Sequence, residues 1–585
     1  MDQAAVPAVF NYQPIPAAVG GYYSQAKQPP SNGTEFQAGQ WIQIPIVTGR
    51  IGQFYDPQRC YFMFRVEMAT ANGLMLERVG GHAFLESVEL WLNGQPLEQI
   101  QQYNALMQLI RDQYYGLGRS DICADVEGCA QESPIGYSLS TLNAPTTTGE
   151  SIGYSCIVQS GGMAAWGAAT TTTQNTGRAV IVAHDDGSTD AATITTNALV
   201  PAPARPVGVC PNAICPGTGV SQYRWFALPI LSGLIGTLAA KAFPALVFAP
   251  GSLFWQIKLA QPAAPGCRVT VDQAGTNGLT GLTFIPYATA DYWKIAQFNF
   301  VSGAVTLQSG VAATILSAAA SGQLDINTKS FTNVYVSIPS SQTSANLIVP
   351  LRKLSLNSIF VMFRDPARET ASGVMYGAGA DATKQMTPPG YGGFLSRIAP
   401  TGCLAETFTA QWRFGNELVR EYPYQQHVEF YVEVLRNLHE WFDKELNFCT
   451  ALRPIRDMQP VTAATYVQGG AATVFNPIGG FYATYATGSA GAAWNAAGSK
   501  YTCDKVTQIL QNCGFFMALD LDVFSGSSST SRSGRNTTGD QITLNLTNGA
   551  ATDGMFGARN MRADFFGFHD LRVNIQAGGI AVPVS

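Results

Sequence analysis

Charge is what this sequence has least of. Asp, Glu, Lys and Arg make up 12% of its 585 residues, against about 25% in a typical soluble domain. A lone soluble protein needs more charge than that to cover its surface. The shortage predicts that much of the surface is buried against neighbouring copies. No run of Lys or Arg occurs and the net charge is −5, so direct binding to nucleic acid is not expected. Cysteine is sparse too, at 11 residues. The closest pairs, Cys123/Cys129 and Cys210/Cys215, lack the spacing of a zinc site and have no histidine pair nearby. They read as buried free thiols of a protein made in a reducing compartment.

Other signatures are missing as well. There is no phosphate-binding loop ending in Gly-Lys-Ser/Thr, so a nucleotide hydrolase has no support. The 5 histidines, at 82, 184, 427, 439 and 569, form no close ligand pair, and neither a metal nor another cofactor is expected. The acidic loop at His184, HDDGSTD, lacks the terminal Glu of a calcium loop and reads as a solvated turn. His439 reads as a helix flank. Asp520 and Asp522, two apart in LDLDV, fit the wet face of a strand better than a catalytic pair, whose members usually converge from different elements. The uncharged run within residues 225–249 stops at Lys241, short of the ~20 residues a membrane helix needs. Its prolines and glycines point instead to a pair of buried strands with a short turn. The opening, MDQAAVPAVFNYQPIPAAVGGYY, has no basic leader segment and does not read as a signal peptide. Without one, the glycosylation sequons at Asn32, Asn536 and Asn545 read as chance matches.

What is present is β-pattern and turn. The chain holds 59 glycines and 32 prolines, with long Ala/Thr/Ser stretches, which favours an all-β class. Residues 1–35 read as an extended, polyproline-like arm. In FQAGQWIQIPI, Ile42, Ile44 and Ile46 alternate with polar or proline positions, the period of a half-buried strand. YFMFRVEM follows as a second strand. Residues 80–110 then read GGHAFLESVELWLNGQPLEQIQQYNALMQLI. His82, on a glycine bend near Glu77 and Glu86, could be a proton-transfer group or a framework residue. Gly80 and Gly81 fit a bend into the strand that carries Val88, Leu90 and Leu92. Asn93-Gly94 is a tight-turn signal, because both residue types tolerate positive φ. Beyond it Ile100, Tyr103, Met107 and Ile110 step by three and four, the period of a short helix.

The second half repeats the order. IFVMFR (359–364) echoes YFMFR, residues 426–442 have helical spacing, and MALDLDVFSG (517–526) resembles FALPILSG (226–233). Each half runs strands, helix, a Gly/Ala-rich insertion, strands and a closing strand: SLFWQIKLA (252–260) in the first, LRVNIQAGG (571–579) in the second. The expected organisation is an arm over 1–35, a first β-sandwich over 36–265 with an insertion at about 112–222, and a second over 266–585 with an insertion at about 460–500.

The stretch LERVGGHAFLESVELWLNGQPLEQIQQYNAL resembles the double jelly-roll major capsid proteins of the adenovirus, tectivirus and nucleocytoplasmic large DNA virus lineage. Polinton-like viruses and virophages are the nearest branch in look. The residues that carry the likeness are Gly80, Gly81, His82, Asn93, Gly94, Ile100, Tyr103 and Asn104. FQAGQWIQIPI, FALPILSGLIG and WRFGNELVREYPYQQHVEFY add to it, in the same order along the chain. The resemblance implies two tandem eight-stranded jelly rolls with short helices and long loop insertions. It further implies a homotrimeric, pseudo-hexagonal capsomer tiling an icosahedral shell, with neighbouring capsomers, penton and minor capsid proteins as partners. The location would be the virion, with synthesis and assembly inside the host cell. Whether a membrane lies beneath the shell stays open. On this reading the chain is no enzyme, the insertions are outward towers, and deleting residues 1–30 spares trimers but impairs shells. The alternative is a carbohydrate-binding or carbohydrate-active β-sandwich protein.

Overall fold

The computed structural model describes residues 21–114, 126–128, 213–214, 223–272, 281–285, 293–366, 395, 400, 407–434, 464–486, 515–522, 534–549, 554–556, 560–576 and 580–584. Short gaps fall inside these spans at 51, 69–72, 78, 240, 308, 323, 426–428, 431, 469–470 and 479–480.

Alternation sets the first strands. After β1 (Gly21–Gln28), β2 (Glu35–Gln37), β3 (Trp41–Pro45) and β4 (Gln53–Tyr55) comes β5 (Tyr61–Met68), which buries Phe62, Phe64, Val66 and Met68. Four elements follow: β6 (Gly73–Leu76), β7 (Leu85–Leu92), β8 (Gln95–Gln101) and the helix α1 (Tyr103–Tyr114). Next are β9 (Ala213–Ile214), β10 (Tyr223–Pro229), β11 (Leu253–Leu259), β12 (Gly266–Asp272), β13 (Gly281–Ile285) and β14 (Trp293–Leu307). One sheet runs β1-β14-β5-β10, with β2 also on β14. A second runs β3-β11-β7-β8. β1 and β2 pair with successive stretches of β14, so together they form one interrupted first strand. The rings of Phe62 and Trp255 meet between the two sheets at 5.6 Å.

Helix α2 (Ser309–Ala320) leads into the second half. There β15 (Leu324–Ile338), β16 (Ser344–Val349), β17 (Leu356–Arg364), β18 (Phe408–Phe414) and β19 (Glu417–Leu418) come first. A meander of β20 (Ala464–Gln468), β21 (Ala471–Ile478) and β22 (Phe481–Ala486) follows. The chain then forms β23 (Met517–Asp520), β24 (Ile542–Asn548), β25 (Met561–Gln576) and β26 (Ile580–Val584). The sheets run β15-β25-β17-β23 and β16-β24-β18-β19, and Trp412 meets Phe565 between them at 6.2 Å.

Set the small accessory strands aside and count the interrupted strand once. Both halves then have the same order: first, eighth, third and sixth strands in one sheet, second, seventh, fourth and fifth in the other. That is the double Greek key of a jelly roll. The fold is all-β, two tandem eight-stranded jelly rolls with short helices. β12, β13, β6 and β9 make a further small sheet on the first roll.

Four expectations need correcting. The arm does not extend to residue 35: β1 and β2 lie within it, and residues 1–20 fall outside the described set. β1 escapes a pattern search because all its residues except Gln28 are exposed. The first roll does not end at 265, because β14 is its eighth strand; SLFWQIKLA is the seventh. Ile100 belongs to β8, and the helix starts at Tyr103. Residues 225–249 hold one strand, not two. After Pro229 the chain folds back on itself, with Thr237 N–H donating to the Ile230 carbonyl, and ends in a turn of 3₁₀ helix at Ala245–Val247. Among the described residues no helix is long and apolar enough to cross a membrane.

Candidate functional site at the joint between the two rolls

The stretch around His82 is buried and hydrogen-bonded to its neighbours. Gly80–Phe84 form a turn of 3₁₀ helix, buried throughout. Gly80 has φ of 63°, and a Cβ on Gly81 would lie 2.8 Å from the Phe226 ring. The His82 side chain is fully buried, its Nε2 3.3 Å from Glu127 Oε2 and its ring 5.9 Å from that of Tyr103. Tyr103, opening α1, accepts a hydrogen bond from Leu231 N–H at 3.1 Å. Asn104 donates from Nδ2 to the Ala83 carbonyl at 3.5 Å, and Gln108 Oε1 accepts from Val79 N–H at 2.9 Å. Ile100 is buried in β8. Asn93 (φ 49°) and Gly94 (φ 81°) form the tight turn between β7 and β8, at the other end of that hairpin. The second roll repeats the device, with Gly415 (φ 55°) between β18 and β19. Residues 429, 430 and 432–434 beyond it are helical.

Next to this stretch, β8 and the 230–238 loop lie against the second roll. Phe360, Met362 and Phe566 of the second roll share one apolar cluster with Leu97, Ile100 and Leu234 of the first. Ile359, Val361 and Phe363 point the other way, into the second roll's own core. Both faces of β17 are therefore covered, which explains its unbroken apolar run.

A buried polar network crosses that joint, and no motif in the chain announces it. Glu98 on β8 is 4% exposed. Its carboxylate accepts from Ser232 Oγ at 2.5 Å and Gly233 N–H at 2.9 Å within the first roll, and from Ser330 Oγ of β15 at 2.5 Å. Burial pushes the Glu98 carboxyl up, and those hydrogen bonds oppose the shift. Thr328 Oγ1 donates to the Gly233 carbonyl at 2.6 Å. A Cβ on Gly233 would sit 2.2 Å from the Lys329 carbonyl, so the backbones touch there. Arg364 donates from Nη2 to Gln102 Oε1, across the joint, at 2.7 Å, and pairs with Asp564 at 2.7 Å. Arg364 and Asp564 are both fully buried, and Arg562 Nε reaches the other Asp564 oxygen at 2.9 Å. Such a network adds little net stability, because desolvation offsets the attraction. Its hydrogen-bond directions tolerate few alternative geometries. It fixes one orientation between the rolls.

Asp520 Oδ1 accepts from Asp522 N–H at 3.0 Å, and Asp522 accepts from Asn357 at 2.7 Å. His569 is buried, 2.9 Å from Thr332 Oγ1. Burial first, and then Lys353, lower its pKa to about 3. Cys60 is a buried free thiol, with its pKa pushed up to about 12 by burial. The Asn32 amide ties the β1–β2 excursion to β3 through Trp41 and Gln43. His184, His427, His439 and the pairs Cys123/Cys129 and Cys210/Cys215 lie outside the described residues. Among the described residues, no group of three or more His, Cys, Asp or Glu could hold a metal ion.

No protein-family model and no curated protein matches the chain. Among solved structures it is similar to the capsid of the virus PBCV-1, at 10% identity and a TM-score of 0.45, covering 98% of this chain and 99% of that one. The Faustovirus major capsid protein is similar at 9% identity and a TM-score of 0.43, covering 98% and 93%. The mavirus major capsid protein is similar at 9% identity and 0.39, covering 100% and 95%.

Proposed function

We propose that this chain is the major capsid protein of an icosahedral DNA virus, assembling as a homotrimer into pseudo-hexagonal capsomers. The observation that carries the proposal is the pair of jelly rolls with one strand order, held at a fixed angle by the buried joint. Three such chains around a three-fold axis present six similar units, and six units approximate a hexagon, which tiles a shell. A charged fraction of 12% fits a molecule whose sides are covered by neighbours. The motif at 80–110 and the described residues of 412–434 supply a matching strand-turn-strand-helix frame in both rolls.

The mechanism is assembly, not turnover. Apolar contacts make the trimer first. Weaker polar contacts then join trimers, which lets misplaced capsomers dissociate. The location is the virion. Partners are neighbouring capsomers, penton and minor capsid proteins, with no direct contact to nucleic acid. The arrangement and the comparisons give the carbohydrate-binding alternative no support. Sizing of the purified chain, with negative-stain images, tests the proposal. Trimers with a pseudo-hexagonal outline are expected; a stable monomer would overturn it.

A further inference from the structure

β1 is an unusual sheet edge. It pairs with β14 along all eight residues, Gly21 with Leu307 through Gln28 with Phe300. No strand among the described residues pairs with its other side. Gly21 through Lys27 are all exposed, Tyr22 at 67% and Tyr23 at 43%, with the Arg59 guanidinium 4.4 Å from the Tyr23 ring and Gln25 Nε2 donating to the Tyr61 hydroxyl at 3.4 Å. Its far end is fixed: Gln28 is buried, donates to Ser302 Oγ at 2.9 Å and accepts from Val47 N–H at 3.1 Å. Protein edges that must stay single carry proline, charged side chains (lysine above all) or bulges. GYYSQAKQ has no proline, no acid and one lysine, and its pairing with β14 runs without a bulge.

We infer that β1 is an intermolecular strand: its outer edge pairs antiparallel with β1 of a second copy of this chain, across a two-fold axis. Directly opposed side chains in an antiparallel pair share a face. A two-fold pair must therefore centre on a residue. Centred on Ser24, the register sets Ser24 against its own copy, Tyr22 against Ala26 and Tyr23 against Gln25. Tyr22 then meets a small residue, Tyr23 an uncharged one, and Lys27 meets Gly21. Lysine opposes lysine only if the overlap shrinks to the last three residues, so charge favours the long overlap.

The inference rests on the capsomer reading for its place in the shell. A three-fold trimer contains no two-fold axis, so an isologous contact of this kind lies between trimers. β1 would be the hydrogen-bonded seam between neighbouring capsomers.

Paired charge substitutions at Ser24 test it on the full-length protein. Ser24→Lys and Ser24→Glu each place like charges directly opposite across the axis. Ser24 is exposed, so the trimer and its melting temperature should not change. Each variant alone should lose trimer–trimer association about tenfold or more by light scattering, which is about 1.4 kcal/mol. An equimolar mixture should regain it, because a lysine on one copy then faces a glutamate on the other. A change that merely loosened β1 from β14 would gain nothing from mixing. Either variant associating as tightly as wild type, or a mixture that stays apart, would overturn the inference. The capsomer reading fails differently, as wild-type protein that sizes as a monomer. In that event the mixed variants would still have to pair two by two for the strand contact to stand.

Discussion

At the scale of single residues, the decisive groups are polar and buried. Arg364→Leu leaves Asp564 and Gln102 facing an apolar side chain. Removing one partner of a buried pair typically costs about 3–5 kcal/mol. Arg562, on the second Asp564 oxygen, should hold the loss near the lower figure, read from the urea midpoint at unchanged slope. Arg364→Leu with Asp564→Leu should recover much of that loss. His569 gives a pH signature. Its folded-state pKa is about 3, against 6.5 unperturbed. The unfolded chain therefore takes up the proton first as pH falls. The stability that His569 contributes is complete above about pH 6.5 and declines from there toward pH 3. His569→Gln should flatten that part of the acid-unfolding curve; an unchanged curve would refute the assignment. His82→Ala should lower the melting temperature by opening a cavity beside Tyr103, at about 1–3 kcal/mol, with the trimer still formed. None of these residues announces its partner in the sequence. Arg364 closes the IFVMFR stretch, and Asp564 lies on a strand far along the chain. Glu98, in QPLEQIQ, looks like any solvent-facing strand residue until Ser330 is brought to it.

At the scale of elements, legibility follows whether a strand has a buried face. YFMFR and IFVMFR echo each other in the bare sequence, and β5 and β17 hold the same third place in their rolls. FALPILSG and MALDLDVFSG likewise correspond to β10 and β23, both sixth. Asn93-Gly94 marks its turn because its backbone needs positive φ twice. β1 reads as arm because a strand exposed on both faces has no alternation to show. The residues of β14 fall to the second sandwich in the bare sequence, and that misplaces the first roll's boundary. Two glycines separate backbone strain from crowding. A Cβ on Gly94 meets nothing within 4 Å, so Gly94→Val should cost about 1–2 kcal/mol through its positive φ alone. A Cβ on Gly233 meets the Lys329 carbonyl at 2.2 Å, so Gly233→Ala must push the rolls apart. It should lower the melting temperature by more than Gly94→Val and reduce the yield of trimers on a sizing column.

At the scale of the whole molecule, the amino-terminal truncation takes a sharper form. Removing residues 1–20 spares β1, whereas removing 1–30 strips β14 of eight pairing residues. The shorter deletion should melt with the intact protein and the longer one below it, by calorimetry of the purified protein. The pairing of β1 with β14 also sets a clock. Gly21 is made well before its partner Leu307, which comes only after the rest of the first roll. At about 5–20 residues per second, the emerging strand waits on the order of 15–60 s for its mate. Loop closure over such a span is slow. The first roll therefore cannot close while the ribosome is still within it, and newly made chains carry a sticky, two-tyrosine strand through most of that interval.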